Sequence, residues 1–214
     1  MKNGIKLLAA IALIGLSNTT QAQTDSSTKT QFGIKGGVNF SNIYNEDVDD
    51  NNMLTSFNAG VYATFPLSDF IAIQPEVLYS VKGAQLTYDN AFATGEAKFK
   101  LNYIEVPVLA KFNVTKNLNI HAGPYFAYLV DAQVKNETEG GSFDFEENFN
   151  NDDFNKFDAG ISAGLGLEFD SLGFGARYNF GMTKIGKETN IGGTTYSPDG
   201  KNSSLSVYAT FRIN

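Results

Sequence analysis

One histidine and no cysteine leave this 214-residue chain little with which to run nucleophilic or acid–base chemistry. His121 sits in the run NIHAGPYF, and acid–base chemistry there would need partners that the sequence does not name. It reads as a packing or rim histidine. The sequence therefore nominates no catalytic residue and no cofactor site, and an enzyme is not expected.

Carboxylates are more plentiful. Glu46, Asp47, Asp49 and Asp50 fall together, and a second group holds Glu137, Glu139, Asp144, Glu146, Glu147, Asp152 and Asp153. Oxygen ligands of this kind suit calcium. A calcium loop starting at Asp47 would need glycine where Asn52 stands and glutamate where Asn58 stands, so the pattern fails and no metal site is assigned. A solvated acidic rim is the expectation. Within the second group, Phe143, Phe145, Phe149 and Phe154 interleave with the acids, which a purely solvating loop does not require. They are the candidates to cover an opening or to hold a partner: a glycan, an extracellular protein or a secretion-system protein.

A third set, Lys35, Glu76, Glu105, Lys111 and Arg177, alternates with apolar residues, and that alternation defines the elements. Period two means strand. Phe57, Ala59, Val61, Ala63 and Phe65 share one face against Asn58, Gly60, Tyr62 and Thr64. The same pattern places strands near 32–41, 71–82, 98–112, 118–128, 157–169, 172–180 and 205–213, eight in all. Pro75 removes one ladder bond from the third. In the fourth, Phe99, Leu101 and Tyr103 fall out of phase with Ile104, Val106 and Val108, which predicts a bulge near Tyr103.

Connections alternate in length. Pro66–Asp69, Asn113–Asn117 and Asp170–Ser171 are tight, while 42–56, 83–97, 131–156 and 183–203 are long and polar. The expected fold is all-β: an eight-stranded antiparallel up-and-down transmembrane barrel with short periplasmic turns and long extracellular loops. Alternation by itself does not say which face is outside. A soluble lipocalin-like carrier would turn the apolar face inward, whereas a membrane barrel gives that face to lipid and keeps its charges in the lumen. Uniformly apolar residues on one face, and glycine mixed with charges on the other, favour the membrane arrangement. Eight strands enclose little more than their own side chains, so pairing of the lumen charges is expected ahead of permeation, with a narrow channel for small solutes as the alternative.

The N-terminus fits export. Lys2 and Lys6 precede an apolar run to Leu16 that is too short to span as a helix, and Thr20 and Ala22 are the small residues of a cleavage site. A signal peptide over 1–22, a short linker over 23–31 and a barrel domain over 32–214 are expected, with mature protein starting at Gln23. Formal charge is −7; without Lys2 and Lys6, 14 basic residues face 23 acidic ones, giving −9. Outer-membrane lipid is the expected partner, and nucleic acid is not.

The stretches GIKGGVNFSN, IQPEVLYSVKGA, YIEVPVLAKF, GPYFAYLV and LGFGARYNFG together resemble the outer-membrane β-barrel domain family of Bacteroidota, the porin-family or PorT-like barrels. The resemblance runs from about Phe32 to Asn214. It implies an eight-stranded barrel in the outer membrane and no single activity, although PorT-like members are linked to type IX secretion. Many barrels finish on an aromatic residue, where this chain has Ile213 and Asn214; Phe211 stands nearest.

Overall fold

Side chains that alternate along a strand need two environments, and closing the sheet on itself supplies both. The computed structural model describes residues 29–44, 53–89, 94–138, 145–148, 154–186, 189–191, 194–196 and 200–214. Every regular element among them is a strand: β1 (Gln31–Tyr44), β2 (Leu54–Pro66), β3 (Ile71–Asp89), β4 (Thr94–Asn113), β5 (Leu118–Thr138), β6 (Phe145–Asn148), β7 (Phe157–Phe169), β8 (Leu172–Lys184), β9 (Thr189–Ile191), β10 (Thr194–Tyr196) and β11 (Lys201–Arg212). Eight of these form a closed antiparallel ring in the order β1, β2, β3, β4, β5, β7, β8, β11, with β11 returning to β1. The short β6 adds to the edge of β5 beyond the ring, and β9 and β10 form a separate hairpin.

Apolar faces point outward. Phe126 is 60 % exposed and Ile161 53 %, while Glu76 and Arg177 on the other face are 1 % and 2 % exposed. A soluble carrier would show the reverse, so this geometry rules out that alternative. Phe65, Phe70, Phe112, Phe169 and Phe211 ring the turn end of the exposed belt; Phe57, Tyr79, Tyr128 and Phe157 stand near its other end. Aromatic girdles at both interfaces around an apolar band are what lipid requires of a barrel exterior.

The three tight turns are at one end and use local chemistry. Ser68 Oγ accepts from the backbone N–H groups of Phe70 and Ile71, and Thr115 Oγ1 accepts from those of Asn117 and Leu118. Asp170, at φ 42°, turns the two-residue connection between β7 and β8. At the seam, Ile213 N–H donates to the Phe32 carbonyl, Phe32 N–H donates to Asn214 Oδ1, and Asn214 Nδ2 donates to the Thr30 carbonyl.

Three sequence expectations need correction. First, β4 keeps one phase throughout: Leu101, Tyr103, Glu105, Leu109 and Lys111 are all buried on the lumen side. The irregularity opposite Tyr103 is real but lies on β5, where Asn102 pairs with Asp131 and Tyr103 with Leu129, leaving Val130 as the extra residue. It shifts the phase of β5, so that Ala132 is buried after Leu129. Second, 83–97 and the start of 131–156 are not irregular loops. β3 and β4 stay paired out to Asp89 and Thr94, and β4 and β5 out to Gly95 and Thr138. Third, Val81, which alternation along 71–82 groups with the apolar Ile71, Ile73, Val77 and Tyr79, is buried rather than outward, because β3 parts from β2 beyond the Asn58–Ser80 pair. There Asn39 and Ser56 side chains donate to the Val81 carbonyl, and Gly83 follows at φ 149°. A β-carbon on Gly83 would meet the Phe99 carbonyl oxygen at 1.8 Å, so only glycine passes.

Candidate functional site

Inward side chains stack in layers along the barrel axis. Nearest the tight turns, Lys111 of β4 pairs with Glu168 of β7. Asn119 Nδ2 donates to Glu168 Oε1 at 3.2 Å, and Asn119 Oδ1 lies 3.1 Å from His121 Nδ1.

The middle layer is built on Glu76. Arg177 donates to both carboxylate oxygens at 2.7 Å, and Lys35 Nζ donates to Oε2 at 3.0 Å. Tyr208 lies beneath both cations, with Lys35 Nζ 3.7 Å and Arg177 Cζ 5.4 Å from its ring centre. His121 Nε2 lies 3.4 Å from Arg177 Nε and 3.3 Å from the Tyr208 hydroxyl. Both nitrogens of His121 are thus engaged in a buried network, as a packing histidine requires.

Above it, Lys82 Nζ stands 2.6 Å from Glu105 Oε2, 3.7 Å from Asp158 Oδ2 and 4.2 Å from the ring centre of Tyr125. Tyr125 and Asn202 donate to Asp158 Oδ2 at 3.2 and 2.9 Å. Four buried or partly buried cations, Lys35, Lys82, Lys111 and Arg177, therefore meet four carboxylates, Glu76, Glu105, Asp158 and Glu168. The middle layer carries one extra positive charge and the upper layer one extra negative charge, so these two layers offset each other. Such balance matters where ions are held away from water.

Neutral polar residues fill the remaining wall. Asn58 donates to Asn39 and Ser206, Asn39 to Ser80, and Ser162 to Asn179. Over the upper ions lies an apolar lid: Leu101, Tyr103, Tyr125, Ala127, Leu129, Ala132 and Ile185, with Ile43, Phe99 and Phe154 packed on it. Phe154 meets Phe99 at a 5.6 Å ring separation. Its segment is tied across the mouth by Leu129 N–H to the Lys156 carbonyl and Asn155 N–H to the Ile185 carbonyl. One hollow, at the turn end among Tyr62, Gln74, Asn119, His121 and Tyr208, has a volume of about 20 Å³, room for about one water.

All five charges singled out from the sequence lie in this lumen, but only Lys35, Glu76 and Arg177 touch one another. Lys111 pairs with Glu168, and Glu105 with Lys82, which Asp158 also approaches; the lumen-side parity of these residues was legible although their partners were not. The tyrosines under the cations, Tyr208 and Tyr125, carried no sequence signal beyond that parity. Of the four loop phenylalanines, Phe154 packs on the lid. Phe145 pairs through its backbone with Asn136, and Phe143 and Phe149 lie outside the described residues, as do 1–22, 46–50, Glu139, Asp144, Asp152 and Asp153. Among the described residues, no three histidines or carboxylates gather as a metal site.

Among solved structures, the chain is similar to Ail, the attachment invasion locus protein of Yersinia pestis, at 11 % identity over 86 % of this chain and 99 % of that one, with a TM-score of 0.47. It is similar to Neisserial surface protein A at 15 % identity over 86 % and 98 %, TM-score 0.47. The translocator domain of the autotransporter NalP from Neisseria meningitidis aligns at 10 % identity over 97 % and 94 %, TM-score 0.35. No curated protein matches the sequence. Residues 21–186 match the outer membrane protein beta-barrel domain, and with its closed, lipid-faced ring of eight strands the chain belongs to that family and to the outer membrane.

Proposed function

We propose that this barrel is a closed membrane anchor whose outer end, and not its lumen, does its work: it presents a rigid protruding sheet to a partner outside the cell. The carrying observation is strand length. β3, β4 and β5 have 19, 20 and 21 residues, against 12 to 14 for the other barrel strands. Crossing the bilayer takes about 9–11 residues. The surplus, roughly eight residues at about 3.4 Å each, carries a β3–β4–β5 sheet about 25 Å further along the strands. A sheet held by continuous pairing is a preorganised contact surface, which costs less to order on binding than a loose loop.

The lumen supports the same reading against a narrow channel. Three layers of paired ions and an apolar lid stand in series, and a solute would have to break buried ion pairs to pass. Partner contact through the acidic segments and through Phe143, Phe145 and Phe149 belongs to this proposal, with an extracellular protein, a secretion-system protein or a glycan as the partner class. Export through cleavage before Gln23 belongs to it too. The narrower kinship with the Bacteroidota PorT-like barrels is supported by the strand motifs alone.

Two readouts test it. Purified protein in planar bilayers should give no conductance steps; regular steps would instead establish the channel. Because the chain has no cysteine, Gln85→Cys in the protruding sheet should react on intact cells with a membrane-impermeant maleimide. Protection until the outer membrane is permeabilised would put that sheet on the periplasmic side and end the proposal.

A further inference from the structure

The protruding sheet has two margins, and the chain covers them differently. Beyond Tyr128, where β7 leaves β5, the outer side of β5 is met by β6 over Gln133–Asn136. On the opposite margin β2 leaves β3 after the Asn58–Ser80 pair. Among the described residues, no strand lies beside β3 on that side from Val81 to Asp89.

The parting is built in. Asn39 Nδ2 enters between the two strands and donates to the Phe57 carbonyl at 3.3 Å and to the Val81 carbonyl at 3.0 Å, and Ser56 Oγ donates to the same Val81 oxygen at 2.7 Å. Side chains thus satisfy the two carbonyls that a continued β2–β3 ladder would have used. Backbone groups alternate in direction along a strand, so the N–H and C=O of Gln85, Thr87 and Asp89 point to the same side as the Val81 carbonyl. Natural sheets protect such an edge with lysine, proline, a bulge or brevity. Residues 83–89, GAQLTYD, contain neither lysine nor proline, and the β3–β4 register runs through them without a shift. Ala84–Asp89 spans about 20 Å, the length of an ordinary strand.

We propose that this edge takes up an extended, basic segment of another protein as an added strand. Main-chain hydrogen bonds supply the affinity in such a contact, and β6 on the far margin is the same solution within the chain. The sign follows from charge: the chain carries −7, and the acidic segments assigned to partner contact above repel an acidic strand. A second copy brings the same negative charge. Barrels embedded side by side also all send β3 upward, which excludes an antiparallel pairing of their edges. The inference rests on the outward presentation proposed above for the place of the encounter; the mode of binding does not.

The test uses the full chain in dodecyl maltoside and a fluorescent peptide of about eight residues alternating lysine with valine. Fluorescence anisotropy should show saturable binding below about 1 mM, and the glutamate–valine analogue should bind at least about tenfold more weakly. A copy methylated on every backbone nitrogen keeps its charges but donates nothing, and should also lose at least about tenfold. Q85P/T87P removes the outward N–H groups of both residues without taking a bond from the β3–β4 ladder. It should lose about tenfold, whereas Q85A/T87A should bind like the wild type. Heat-modifiable gel mobility confirms that each variant is folded. Equal binding of the methylated peptide, unchanged binding by folded Q85P/T87P, or no binding of the lysine peptide overturns the added strand, and equal binding of the two charge types overturns the basic partner. A dimer of the unliganded protein that Q85P/T87P dissolves would give the edge to a second copy and overturn the proposal as well. Because micelles have no sidedness, an inverted orientation would show only in the Gln85→Cys labelling and leave this result standing.

Discussion

Arg177 reaches across the barrel from β8 and closes both guanidinium nitrogens, at 2.7 Å each, on the two carboxylate oxygens of Glu76 on β3. The residues are 101 positions apart, and both are almost fully buried. The pair therefore ties opposite walls together, and its worth lies in what remains when one partner is removed. Glu76→Ala leaves two uncompensated cations, Lys35 and Arg177, and should cost about 3–5 kcal/mol in urea unfolding from micelles. The triple variant Lys35→Met, Glu76→Gln and Arg177→Met, which removes all three charges together, should cost much less than Glu76→Ala. Equal costs would show that water reaches the site.

Tyr208 supplies a face to Lys35 at 3.7 Å. Tyr208→Leu should destabilise the folded barrel by about 1–2 kcal/mol through loss of that cation–aromatic contact, and Tyr208→Phe should recover most of it. If the Phe variant is as unstable as the Leu variant, the hydroxyl's contact with His121 is the part that matters.

Val61 lies midway between Phe57 and Phe65 on the outward face of β2. Val61→Arg should cost about 2–4 kcal/mol in bilayers, and the same change at Tyr44 should cost no more than about 1 kcal/mol. Matched costs at the two depths would contradict the position of the belt.

Gly83→Ala places a methyl group on a carbonyl oxygen at a backbone angle that L-residues avoid. It should destabilise the barrel by about 1–3 kcal/mol, whereas Ala84→Gly, one residue on, should cost under 1 kcal/mol. Equilibrium unfolding of the two variants separates strain from a general weakening of the hairpin.

Export predicts that protein recovered from the outer-membrane fraction has an intact mass corresponding to Gln23–Asn214. A mass retaining 1–22 would remove the signal peptide.

The ring itself was legible because lipid on one side and paired charges on the other impose a strict period of two, as in Phe57–Phe65 and Phe157–Phe169. The phase of β4 was misread for the opposite reason. Above the ionic layers the lumen is apolar, so Leu101 and Tyr103 look like outward residues although they face inward. The protruding hairpin was hidden because the alternation of Ala84, Leu86 and Tyr88 with Gln85, Thr87 and Asp89 is brief and runs into the polar and small residues up to Glu96, which read as a loop. Pairing among the ions depends on which residues share a height across the ring, and parity along one strand carries no such information.

β1 and β11 are joined by twelve registered pairs between segments roughly 170 positions apart. Until that last ladder forms, the chain is an open ribbon with two raw margins, and neither the Glu76–Arg177 tie nor the lid can form, since both need opposite walls in place. Ring closure therefore carries a large loop entropy that nothing local repays in advance. Folding should behave as a single late event, slow and nearly all-or-none, and a barrel shortened by one hairpin should fail to assemble rather than form a smaller version of itself.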